Sequence, residues 1–284
     1  MNKKKNIIYM MCTYTILIFA LIITVFPLFY TISASFKTNI EILTEPAKIL
    51  PKNPTIENYV QAWNADDFNV PVMLKNSLYY TIINVIISIF SSAMAGYAFA
   101  RGEFVGKKII FAMFTALMFI RTGGLEIYPK FEILNALNID TGLNALIFLH
   151  LFGVPIINIY LVRGFVNAIP KELDEAAKID GCGFIGTFFR VIAPLLKPVL
   201  ATIGILAFQG SWNEYLMPTV FTVNNPEQRT LIVGLMALKS STGAATNWNL
   251  MLAGSVIAVV PVLFAYGVGN KYFVSGLSAG AVKG

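Results

Sequence analysis

Apolar runs long enough to cross a bilayer constrain this chain more than any other feature. Several exceed the roughly 18 consecutive apolar residues that mark a membrane-spanning helix. We read spans at residues 7–33, 76–100, 108–120, 142–166, 199–219 and 252–270. The third is short and breaks at Arg121-Thr122-Gly123-Gly124. The expected fold is all-α and polytopic, with about six transmembrane helices. A soluble domain of 284 residues would need far more polar surface than a chain that is 56% hydrophobic and 13% charged.

The charges orient the spans. With the N-terminus inside, the inner segments hold 13 of the 21 Lys and Arg residues and 5 of the 15 acids. This is the positive-inside pattern. The net charge of +6 therefore reads as topology, with no nucleic-acid partner, and both termini and residues 170–194 fall in the cytoplasm. Lys3, Lys4 and Lys5 before the first run suggest a signal peptide. That run is about twice the usual 7–15-residue apolar core, so it reads as a retained helix. Residues 1–75 form the first helix and one long external loop, and 76–284 form the core domain. Cys12 lies in an apolar span and Cys182 in a charged loop, which is no disulfide framework.

Residues 170–194, PKELDEAAKIDGCGFIGTFFRVIAP, are polar between apolar neighbours. They read as a short helix, a glycine turn and a second helix. Pro170 suits a first helical position. Glu172 and Asp174 suit the positive end of the helix dipole. Leu173, Ala176 and Ala177 make one small-residue face, and Gly181 is placed to end the helix at positive φ. Such a module on a membrane protein is expected to dock into a partner's groove. The bland alternative is a solvated helix with Lys171–Glu175 and Asp174–Lys178 pairs at i, i+4 spacing.

Three motif matches are set aside. Gly181–Gly186 fits G-x-G-x-x-G, but a helix precedes it and no acid follows at the required distance. Residues 102–108 imitate a phosphate loop but lack its Ser/Thr, and read as a turn between spans. Gly276–Gly280 fits G-x-S-x-G, the pattern of a serine nucleophile, but no histidine follows. Neither a metal site nor a catalytic group is expected.

Two polar features lie within the spans. His150, the one histidine, is either a substrate-pathway contact or a hydrogen bond to a neighbouring helix. Residues 208–215 carry Gln209, Trp212, Asn213 and Glu214, which suit either a sugar pathway or, for Trp212 and Tyr215, an interfacial belt.

Glu175-Ala176-Ala177, Gly181 and Val191-Ile192-Ala193-Pro194 resemble the EAA loop of binding-protein-dependent ABC importer permeases. Asn76-Ser77, Gly96–Arg101, Thr230-Leu231, Trp212-Asn213-Glu214 and the ending GLSAGAVKG are similar to the smaller maltose-type permease subunit. The resemblance implies a bacterial cell membrane protein that is not itself an enzyme. Its partners would be a second homologous permease, two ATPase subunits carrying ATP and Mg, an extracellular solute-binding protein, a sugar substrate and membrane lipid. It implies ATPase coupling by Glu175, Ala176, Ala177, Asp180, Gly181 and Pro194, and an ATPase contact by the tail residues Gly280, Lys283 and Gly284. No cofactor is expected in this chain. The alternatives are an ion-coupled secondary transporter, for which Glu214 is the only acid near a span, and an intramembrane serine protease using Ser278.

Overall fold

The computed structural model describes residues 3–65, 68–120, 123–240 and 247–281, and the regular elements among them are all helical. In chain order they are α1 (Lys3–Ala34), α2 (Asn39–Thr44), α3 (Glu57–Asn64), α4 (Val70–Arg101), α5 (Lys107–Leu117), α6 (Ile127–Ala136), α7 (Leu143–Leu151), α8 (Ile156–Ala168), α9 (Glu172–Ile179), α10 (Phe184–Thr187), α11 (Ala193–Leu195), α12 (Lys197–Trp212), α13 (Leu216–Phe221), α14 (Leu231–Ser240) and α15 (Trp248–Ala281). A π-helical stretch, Phe188–Ile192, joins α10 to α11.

Three stretches cross a membrane's thickness unbroken: Tyr9–Ala34 in α1, Val70–Arg101 in α4 and Trp248–Gly269 in α15. Two bent pairs are long and apolar enough only when taken together, α7 with α8 at 40° and Phe184–Leu195 with Lys197–Trp212 at 79°. The expected span at 108–120, read with some extension beyond those bounds, is short of regular helix. Its helix, α5, has 11 residues and so reaches only about 16 Å, against a hydrocarbon core of about 30 Å. Gly106 and Gly123, at φ +82° and +54°, punctuate the chain on either side of it.

The other breaks also have local causes. Pro155 caps α8 and has no amide to extend α7 across the gap. Pro198 cannot donate to the carbonyl of Pro194, so the chain turns sharply where α11 meets α12. The last helix runs to Ala281, eleven residues beyond the expected end of the sixth span at 270, and takes in Gly280 and the G-x-S-x-G match. That match therefore sits in continuous helix and not on the strand-to-helix elbow a serine nucleophile needs. Lys283 and Gly284 lie outside the described residues.

The chain divides into two compact units. One comprises Met1–Pro71 and Gly234–Val260. Its polar centre is Asn58, which donates to the carbonyls of Ser35 and Lys37 at 2.7 and 2.8 Å and accepts from the Asn249 amide at 2.9 Å. The other comprises Val72–Val233 and Pro261–Gly284. It has two apolar cores. The first joins Ala93 and Tyr97 of α4, Val162 and Val166 of α8, Phe188 and Ile192 of the π stretch, and Val199 and Ile203 of α12. The second joins Tyr80 of α4, Leu134 of α6, Leu143 and Leu146 of α7, and Met217 and Phe221 of α13. Helix α4 thus serves both.

Candidate functional site

The 170–194 module is a helix, a turn and a bent second helix. Glu172, Asp174 and Glu175 occupy the first turn of α9, where the dipole favours them. Pro170 lies just before that turn, with Lys171 at the N-cap. Asp180 is the C-cap, and Gly181 follows at φ +81°. Gly181 N–H donates to Lys178 O and Cys182 N–H to Ala177 O, at 3.0 and 2.9 Å. This pair of bonds is a Schellman ending, which requires the left-handed residue that glycine supplies cheaply.

The module is fastened to the end of α4 by charge and by aromatic packing. Arg101 Nε donates to Asp174 Oδ2 at 2.9 Å, and Arg101 Nη2 to the carbonyl of Ile169 at 2.6 Å. Only 8% of the Arg101 side chain and 11% of the Asp174 side chain is exposed. Tyr97 packs its ring against Phe184 and Phe188, with centroids 4.6 and 5.2 Å apart. A β-carbon on Gly96 would lie 2.5 Å from Val162 Cβ, so α4 and α8 touch at backbone distance there.

This fastening corrects the expected small-residue face. Asp174 must turn inward to reach Arg101, and Ala177, three residues on, turns inward with it and is buried. Leu173, Glu175, Ala176 and Ile179 are left exposed, Ile179 by 87%. Lys171–Glu175 and Asp174–Lys178 are not among the ion pairs of the described residues. Pro194 is exposed at the second position of α11.

The polar groups of the spans meet α4 higher up. His150 Nε2 shares a hydrogen bond with Ser88 Oγ at 3.2 Å. Glu214 sits in the break between α12 and α13, where Asn213 Nδ2 donates to Gln209 O at 2.9 Å. Tyr80 O–H donates to Glu214 Oε2 at 2.7 Å. Gln209 and Asn213 are exposed, while Trp212 is buried with its ring parallel to Phe208 at 5.6 Å. The His150–Ser88 bond is the expected contact with a neighbouring helix, but the partners Arg101, Ser88 and Tyr80 themselves are not named by the sequence. Their bonds join residues 62 to 134 positions apart, and the hydroxyl and basic residues of an apolar span were the only signal for them.

The sequence matches the model of a family described as "Binding-protein-dependent transport system inner membrane component" over residues 1–278. It is 35% identical to the sulfoquinovosyl glycerol transport system permease protein SmoH of Agrobacterium fabrum, across 91% of this chain and 89% of that one. It is 33% identical to the arabinooligosaccharides transport system permease protein AraQ of Halalkalibacterium halodurans, across 94% of each. Its fold matches a chain from the crystal structure of a bacterial ABC transporter involved in the import of the acidic polysaccharide alginate. The TM-score is 0.82, with 22% identity, over 96% of this chain and 99% of that chain. The readings as an ion-coupled transporter and as a protease fall with these matches, and the chain belongs to the binding-protein-dependent ABC importer permeases, the inner-membrane components of such transport systems.

Proposed function

We propose that this chain is a permease subunit of an ATP-driven carbohydrate importer and that its 170–194 module is the part an ATPase subunit grips. The observation that carries the proposal is the division of α9. One edge is buried against the chain through Asp174 and Ala177, and the opposite edge offers Leu173, Glu175, Ala176 and Ile179. An exposed apolar edge on a polar helix calls for a partner. Glu175 pairs with a basic groove residue, Ala176 admits close approach, and Asp180, Gly181 and Pro194 set the turn and the second helix. The distribution of Lys and Arg supports a cytoplasmic side for the module and both termini, from which the tail with Gly280, Lys283 and Gly284 contacts the ATPases.

A second, homologous permease completes the pathway, two ATPase subunits bind ATP and Mg, and an extracellular binding protein delivers the sugar. The names of both relatives favour a carbohydrate, and that of AraQ an oligosaccharide. The polar groups at the helix breaks, namely Gln209, Asn213 and Glu214 with His150 and the buried Trp212, line or support the route. Closure of the ATPases moves the module, and the bundle changes access as rigid bodies.

Capture of the tagged chain from native membranes tests the docking. An ATPase chain and a second permease are expected to accompany it. Gly181→Val is expected to strain the turn by about 1–2 kcal/mol and to lower the yield of the ATPase chain while the second permease stays bound. Unchanged ATPase recovery in that variant removes the module from the interface.

A further inference from the structure

We infer that α4 is the rod that carries movement of the α9–α11 module to the helix breaks, and that the Arg101–Asp174 pair is its joint. The inference rests on the docking reading above and adds the route that reading lacks. Three helices leave the module, and two of them are interrupted. Helix α8 is separated from α7 by the 40° break, and α12 meets α11 at 79°. Helix α4 runs unbroken for 32 residues. It meets the module at Arg101 and Tyr97, then His150 at Ser88, then Glu214 at Tyr80. Its far end holds the segment after α13. Asn76 Nδ2 donates to the carbonyls of Glu227 and Arg229, and Ser77 Oγ accepts from Leu231 N–H. From Arg101 to Tyr80 the rod spans about 31 Å.

The joint is built to transmit direction. Arg101 bonds the first turn of α9 through Nε and the chain entering it through Nη2. A guanidinium fixes two partners in one plane, whereas an ammonium offers a single point of charge. Burial keeps water from substituting for either bond. Arg101 touches neither the exposed edge of α9 nor the groups at the helix breaks, so it is a positioning residue.

The test uses the full complex captured from membranes, with Cys12 and Cys182 replaced by Ser and a single reporter, Gln209→Cys. Labelling of the reporter by a membrane-impermeant maleimide is timed with and without Mg-ATP and vanadate. The rate in the parent is expected to change when nucleotide is trapped. In Arg101→Gln that change is expected to shrink by about fivefold or more, with recovery of the ATPase chain and its hydrolysis rate retained. Arg101→Lys is expected to restore part of the change, and Asp174→Asn to reproduce the loss. Three results overturn the inference: a full nucleotide response in assembled Arg101→Gln, a parent whose labelling ignores nucleotide, or failure of both Arg101→Gln and Asp174→Asn to accumulate, which makes the pair a folding element only. The docking reading fails separately, if no ATPase chain accompanies the parent.

Discussion

Helices α1 and α4 have the same length, 32 residues, and both are apolar enough to cross a membrane. None of the apolar window of α1 is buried inside the chain, whereas 39% of that of α4 is. Hydrophobicity does not separate them, because lipid is as good a solvent for Leu and Ile as a neighbouring helix is. Small and hydroxyl side chains do. Helix α4 buries Ser77, Thr81, Asn84, Ser88 and Ser92 at spacings of three and four, on one face. The hydroxyls of Thr13, Thr24 and Thr31 in α1 instead bond carbonyls four residues back in their own helix, which satisfies them without a neighbour. Within a bilayer, an inward face is thus written in small polar residues, and a continuous apolar surface leaves a helix uncommitted inside its own chain.

The sharpest way to break that contrast is to enlarge the tightest point of α4. Gly96→Leu puts a β-carbon 2.5 Å from Val162 Cβ and 3.1 Å from the backbone nitrogen of Arg163. The second neighbour is main chain and cannot rotate away. We expect a loss of about 3 kcal/mol, read as a lower unfolding midpoint of the purified chain in detergent. A wild-type midpoint would mean that α4 and α8 are not held at this distance.

Next in size is the loss of one polar contact. Tyr80→Phe keeps the ring in its apolar cluster and deletes the donor to Glu214. Leaving a half-buried carboxyl group without that bond should cost about 2 kcal/mol. If the midpoint does not move, Glu214 finds water in the break, and the break is wetter than the Tyr80 contact suggests.

These contacts mark where the sequence could be read and where it could not. The apolar runs at 7–33, 76–100 and 252–270 fall on the three unbroken spans and that at 142–166 on the α7–α8 pair, because summed hydropathy over about 20 residues is a strong signal. It is blind to a single missing amide donor, so the break at Pro155 passed as continuous helix. Gly181 was legible because a helix that ends short of a second helix needs a left-handed residue, and glycine is the cheapest supplier. Asp174 was legible as a first-turn acid only. Its partner lies 73 residues earlier, and nothing in local spacing connects them. Ala177 was misplaced for the same reason, since the buried ion pair, and not the run of small residues, decides which edge of α9 faces in. Trp212 drew attention as a ring for a sugar, yet it is buried against Phe208. An aromatic next to amides has the same local composition in either role.

The smallest expected effect completes the contrast. Ile18 in the middle of α1 is 56% exposed, so Ile18→Ala removes methyl groups that touch little else in the chain. The stability of the isolated chain should change by no more than about 0.5 kcal/mol. The cavity term that makes such truncations costly in a packed core has no wall here to leave behind. The same truncation at Ile203, which is fully buried in the core shared by α4, α8 and α12, is the internal control for that argument. Co-purification turns the comparison into an assignment. If Ile18→Ala leaves the midpoint alone but lowers recovery of the second permease, the bare face of α1 belongs to that partner. If both are unchanged, the face belongs to lipid, and apolar surface alone recruits no helix within the bilayer.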